Sequence, residues 1–98
     1  MDLAASVKKA DFGIAICKSG IGMSIACNKV KNIRCALVDN VTNATLAHKH
    51  NNANVLAIGS NDVNLKLAID MIHAYDSVAF EERHQKRIDK ISKYEESR

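Results

Sequence analysis

Apolar residues along this chain fall into short blocks divided by polar turns, and the blocks alternate between two kinds of pattern. FGIAIC (12–17), NIRCALV (32–38, entered through the polar Lys31–Asn32 pair) and NVLAIG (54–59, stopped by Gly59 and Ser60) are runs of strand length that predict three buried strands. Between them the period is helical. Ile21, Ile25 and Asn28 share one face of a helix beginning near Gly20 or Ile21. In DNVTNATLAHKHNN (39–52) the cap-type residues Asp39, Asn40 and Thr42 precede a short helix containing Leu46 and Ala47. Leu65, Ala68, Ile69, Ile72 and Tyr75 give the clearest helical repeat, over 62–76. A charged helix over 81–96 follows, with Ile88, Ile91 and Tyr94 as a narrow apolar stripe, and Leu3 and Val7 predict a short helix over 2–9.

Strand and helix alternate, which is the signature of an α/β fold: a parallel sheet with right-handed crossover helices, Rossmann-like and three-layered. Ligands of such sheets bind at the carboxyl ends of the strands, the edge expected to carry Cys17, the Asp39 loop and the Gly59 turn. Three strands are few for a doubly wound sheet, and an uncovered edge strand invites pairing with another chain.

Composition narrows the class. A chain of 98 residues suits a single domain, 1–98, and with no Trp its core must be aliphatic. The net charge of +3 is too small and too scattered to argue for a nucleic-acid partner. Cys17, Cys27 and Cys35 are an odd set that matches no zinc spacing, which favours a reduced, intracellular setting and no metal. With no charged n-region before an apolar core and no apolar run of membrane-spanning length, the expectation is a soluble cytoplasmic protein without a membrane partner.

Few residues are candidates for chemistry. Cys17 ends the first strand just ahead of a helix, where free N–H groups and the helix dipole favour a thiolate. Gly20 and Gly22 let backbone come close to a phosphate or a developing oxyanion, and Ser19 adds a hydroxyl. Equally, any α/β protein needs a tight strand-to-helix turn, and a cysteine there can be a small packed hydrophobe. His50, in the loop before the third strand, can shuttle protons near neutrality or simply be solvated. Arg83 and Arg87, four apart in RHQKR beside His84, can grip a phosphate from one helical face or pair with Glu81, Glu82 and Asp89. Cys27 and Cys35 read as core or near-core residues.

Three blocks, GIAICKSGIGMSIACNKVKNIRCALV, then HNNANVLAIGS, then RHQKRID, occur in an order that resembles the ribose-5-phosphate isomerase type B family, which includes the galactose-6-phosphate isomerase subunits. The likeness runs from about residue 11 to about residue 91. It implies an aldose–ketose isomerase of the pentose phosphate pathway that interconverts ribose 5-phosphate and ribulose 5-phosphate through an enediolate, without metal or organic cofactor. By that resemblance Cys17 is the base moving a proton between C1 and C2. The backbone around Ser19, Gly20 and Gly22 steadies the enediolate oxygen, and Ser24 and Asn28 belong to the same signature. His50 assists ring opening with Asn51 beside it, and Arg83 and Arg87 hold the phosphate. A homodimer or higher oligomer is implied, its sites combining residues of both subunits. One branch of the family uses a glutamate base in the following helix, where this chain has Ala26, so Cys17 is the better candidate.

The departures are specific. The family's first strand, with its Asp-His pair, and the helix and second strand after it have no counterpart, so the expectation is an N-terminally truncated relative. Lys18 stands where the family has glycine, Ser19 where it has threonine, and Asn61 where an arginine is common. FEERHQKR is one residue shorter than the family's double-glycine version. Two readings follow: an active isomerase, or a catalytically impaired relative that serves as an oligomer subunit. A thiol oxidoreductase is disfavoured because no C-x-x-C pair is present. The sugar could be ribose, allose or galactose phosphate.

Overall fold

The most continuous apolar run of the chain, Val55–Gly59, forms β3, the centre of a three-stranded sheet in the computed structural model, which describes residues 12–98. The helix expected over 2–9 lies outside the described residues. β1 (Gly13–Cys17) and β2 (Cys35–Leu37) flank β3, both parallel to it, in the order β1-β3-β2. The register pairs Gly13 with Val55 and Cys17 with Gly59 on one side, and Cys35 with Val55 on the other. Each strand is followed by a helix: α1 (Ile21–Cys27), α2 (Val41–Lys49) and α3 (Leu65–Asp76). A 3-10 turn (Glu82–His84) then leads into α4 (Gln85–Glu96). This is the parallel α/β arrangement the alternating pattern predicts.

All five residues of β3 are buried, as a parallel strand covered on both faces requires. Their side chains alternate between two cores. Leu56 and Ile58 pack with Ala44, Ala47, Met71 and Tyr75 beneath α2 and α3, while Val55 packs with Ala15, Cys27 and Ile33 beneath α1. The sheet is thus the middle of three layers. Tyr75 ties the larger core to the amino edge of the sheet: its hydroxyl donates to the Ala53 carbonyl, and its ring stacks on His48 at 4.5 Å. His48 Nδ1 donates back to the Tyr75 carbonyl at 2.7 Å.

Several sequence expectations shift by a turn or a face. α2 is capped by Asn40, whose side chain accepts the Asn43 N–H at 2.7 Å, while Asp39 only accepts from Asn40. α3 starts at Leu65 because Asn64 caps it and residues 62 and 63 turn back onto the Gly59 carbonyl. It is rotated from the expected stripe: Met71 and Tyr75 are buried with Leu67 and Ala68 against the core, whereas Leu65 is 77% and Ile69 45% exposed. On α1 the face of Ile21, Ile25 and Asn28 points outward, and Cys27, with Met23 one turn before it, packs inward. β2 is shorter than 32–38 because Asn32 takes a left-handed φ of 69° and the Arg34 N–H bonds to the Asn54 side chain instead of a strand. On α4 only Ile88 of the expected stripe is buried.

Candidate active site

At the carboxyl edge of the sheet, β1 ends on Cys17 and the chain reverses through Lys18, Ser19 and Gly20 into α1. The Ser60 N–H donates to the Cys17 carbonyl at 2.8 Å and the Asn61 N–H to the Lys18 carbonyl at 2.9 Å, which carries the β1–β3 pairing on into the turn. This brings Gly59 so close that a Cβ there would stand 2.4 Å from the Ser19 carbonyl oxygen, so no larger residue fits. Gly20 adopts φ +81°, the left-handed conformation that glycine takes without penalty. That turn aims the Gly20 N–H at the half-buried Cys17 thiol, Sγ accepting at 3.0 Å. Ser19 Oγ accepts the Ile21 N–H at 3.3 Å and Ser24 Oγ donates to the Ile21 carbonyl at 2.8 Å. Among the described residues no side chain caps the Gly22 and Met23 N–H groups, and the space over Gly22 is open.

His50 stands elsewhere. It is the C-cap of α2, five residues before β3, so it lies at the amino edge of the sheet, opposite Cys17. The Glu81 N–H donates to the Lys49 carbonyl at 2.9 Å and brings the 3-10 turn and the start of α4 onto this edge. Glu81 Oε1 then sits 3.6 Å from His50 Nε2, 3.5 Å from His84 Nε2 and 3.2 Å from the Arg83 guanidinium. The rings of His50 and His84 are 4.5 Å apart, and the Arg87 guanidinium donates to His84 Nδ1. Burial pushes the Glu81 carboxyl up, but Arg83, with Lys49 and His84 behind it, outweighs burial and holds the group below its ordinary range. Burial, then the cationic Arg83 and Arg87, lower His84 against the opposing pull of Glu81.

A cleft of about 340 Å³ opens at the same amino edge beside β2, lined by Asn28, Arg34, Cys35, Asn51, Ile91 and Glu95 among others. Asn28 uses its whole amide on Cys35, donating to its carbonyl at 2.9 Å and accepting its N–H at 2.8 Å, and so stands in for a neighbouring strand. The Cys35 thiol is pushed up to about 12 by burial, with Cys27 adding to the shift, so it is no nucleophile.

The sequence-predicted residues therefore divide. Cys17, Ser19, Gly20, Gly22 and Ser24 share the carboxyl edge; His50, Asn51, Arg83, Arg87 and Asn28 lie toward the amino edge. Arg83 and Arg87 do not share one continuous helical face, because Arg83 belongs to the 3-10 turn. Of their expected acidic partners Glu81 is real, while Asp89 bonds Gln85 instead. Sequence reasoning missed Glu81 as the hub of the cluster. Its Glu-x-x-His spacing to His84 was the signal available.

Comparison with known proteins gives a consistent result. A family model described as Ribose/Galactose Isomerase matches residues 1–91. The ribose-5-phosphate isomerase B of Escherichia coli is 40% identical over 97 residues, covering 98% of this chain and 65% of that protein. Among solved structures, the Clostridium thermocellum ribose-5-phosphate isomerase B superposes with a TM-score of 0.92 at 40% identity, covering 98% of this chain and 67% of that one. The Mycoplasma genitalium enzyme, solved with bound ribulose-5-phosphate, gives 0.90 at 42% identity, over 97% of this chain and 65% of that one. The chain spans between 57% and 65% of the length of four curated relatives it matches.

Proposed function

The chain belongs to the ribose/galactose isomerase family, and on that premise we propose that it is a sugar-phosphate aldose–ketose isomerase interconverting ribose 5-phosphate and ribulose 5-phosphate through an enediolate. The observation that carries this reading is the Cys17 turn, a thiol engaged by the Gly20 N–H at 3.0 Å beside uncapped N–H groups of a helix start. Proton abstraction next to a carbonyl needs a base near its working pH and donors aimed at the oxygen that gains charge. Cys17 is the base that carries the proton between C1 and C2, and the backbone from Ser19 to Gly22 receives the enediolate oxygen. His50 assists ring opening with Asn51 beside it, and Arg83 and Arg87 hold the phosphate. Ribulose-5-phosphate bound to the Mycoplasma genitalium relative supports the substrate class.

These groups cannot meet within one chain. The carboxyl and amino ends of a five-residue strand are about 13–17 Å apart, and Cys17 and His50 lie beyond opposite ends. The functional unit is therefore a homodimer or higher oligomer in which one copy supplies Cys17 and another supplies His50, Arg83 and Arg87. Ile16, Ile21 and Ile25, each more than half exposed, give the Cys17 edge an apolar surface for such a partner. No described helix is long and apolar enough to cross a membrane, and a cytoplasmic, reducing setting keeps Cys17 a thiol.

The test is a ribose 5-phosphate to ribulose 5-phosphate assay on the wild type and on Cys17→Ala. Turnover that disappears in the variant supports the reading. A folded, oligomeric wild type without turnover would support the alternative, a non-catalytic relative that acts as an oligomer subunit.

A further inference from the structure

The amino-edge cluster holds three donor atoms around one point. Glu81 Oε1 is 3.6 Å from His50 Nε2 and 3.5 Å from His84 Nε2, and the three atoms all lie within 4.8 Å of one another. Metal bonds of about 2.0–2.1 Å at tetrahedral angles set ligand atoms about 3.3–3.4 Å apart, so both carboxylate–imidazole separations are nearly those of a closed site. Hydrogen bonds from Arg83 to Glu81 Oε1 and from Arg87 to His84 Nδ1 account for part of this arrangement but leave His84 Nε2 unexplained. His84 is only 8% exposed, and its Nε2 is buried and aimed at Glu81 without a hydrogen-bond partner, a costly state for an imidazole nitrogen.

We propose that His50 Nε2, Glu81 Oε1 and His84 Nε2 bind a divalent transition-metal ion of the zinc class, with a fourth position open to water or an anion. Glu81 and His84 sit three residues apart on one turn, and His50 enters from the end of α2, so the ligands come from two elements already fastened by the Glu81–Lys49 backbone bond. Two guanidinium groups must yield. Arg83 shares Glu81 Oε1 at 3.2 Å, and Arg87 donates to His84 Nδ1. While Nδ1 accepts that bond, the proton of the neutral ring is on Nε2; metal binding moves it to Nδ1 and releases Arg87. Arginine and metal therefore compete for the same imidazole. The ion is not a cofactor of the isomerisation: it occupies His50, so binding opposes turnover, and the site exists whether or not the chain turns over a sugar phosphate.

The test is titration of the full chain, reduced and freed of metal with chelator, with Co²⁺ and Zn²⁺, followed by the visible absorption of cobalt and by calorimetry. One Co²⁺ per chain is expected, with the spectrum of a four- or five-coordinate nitrogen and oxygen site. Affinity should fall at least about tenfold in Glu81→Gln and in His84→Asn, and rise in Arg87→Ala. His50→Asn, on a half-exposed side chain, provides a further ligand deletion should the buried His84 variant fail to fold. Absence of binding to the folded wild type, unchanged affinity in the ligand variants, or an intense near-ultraviolet sulfur-to-cobalt band would each overturn the proposal.

Discussion

Gly20 and Gly22, two residues apart in the turn after β1, should respond oppositely to alanine. At Gly20 the backbone has φ +81°, and an added Cβ would stand 2.6 Å from Leu37 Cδ1, 3.1 Å from the Gly59 nitrogen and 3.2 Å from the Ile58 carbonyl carbon. Left-handed backbone costs a residue with a Cβ about 1–2 kcal/mol. Leu37 is 45% exposed and its Cδ1 can swing aside, but the Gly59 and Ile58 backbone cannot retreat, and overpacking against it adds about 1–3 kcal/mol. A destabilisation of about 3 kcal/mol is expected, which for a domain of this size lowers Tm by roughly 12–24 °C. At Gly22 a Cβ meets nothing within 4 Å, and removing a glycine from a helix stabilises by about 0.5–1 kcal/mol. Urea and thermal melts of the two variants against wild type read the difference directly. Gly20→Ala melting within about 1 kcal/mol of wild type would refute the left-handed turn on which the Cys17–Gly20 contact depends. If backbone at Gly22 meets substrate, Gly22→Ala keeps its fold and loses turnover.

The Cys35 thiol is raised from 9.0 to about 12 by burial, so the unfolded chain releases that proton first and stability falls as pH rises above 9 toward 12. Denaturant midpoints measured across that window should drop in wild type and drop less in Cys35→Ala; equal slopes would contradict the burial of this thiol. Iodoacetamide at about pH 8 should alkylate Cys17 and spare the fully buried Cys27 and the protonated Cys35. Peptide mass spectrometry reads this, and early labelling at Cys35 would count against it. Asn64→Ala removes the acceptor of the Leu67 N–H at 2.8 Å and should cost about 1 kcal/mol, with Asn64→Asp recovering most of it in the same melts.

The parts of this fold legible in the sequence are those fixed by local pattern. Near-continuous apolar runs marked all three strands, and Asn40 was among the cap residues read at the start of α2. The buried face of α3 was not legible, because Leu65 and Ile69 compete with Ala68, Met71 and Tyr75 as apolar stripes on one helix, and only docking on β3 decides between them. The Cys17 turn could be read because strand, turn and helix follow one another in the chain. The division of the candidate site turns on two placements: Cys17 ends a strand and so lies at the carboxyl edge, whereas His50 sits in the loop before a strand. In a parallel sheet a loop that precedes a strand lies at the amino edge, so the alternating pattern already contained the answer. Glu81 is different: its spacing to His84 is local, but its approach to His50 depends on the Lys49 carbonyl that anchors it, a tertiary contact.

Complementation between two inactive variants tests most directly whether one site draws on two copies. Cys17→Ala retains His50, and His50→Asn retains Cys17. Mixed after partial denaturation and refolding, they form hybrid dimers in which one of the two sites has both residues intact. Ribose 5-phosphate isomerisation should return to roughly one quarter of the wild-type rate for random pairing in a closed dimer, while each variant alone stays inactive. A mixture no more active than its parts, beside a wild type that turns over, would contradict a site shared between the Cys17 edge of one copy and the His50 edge of another.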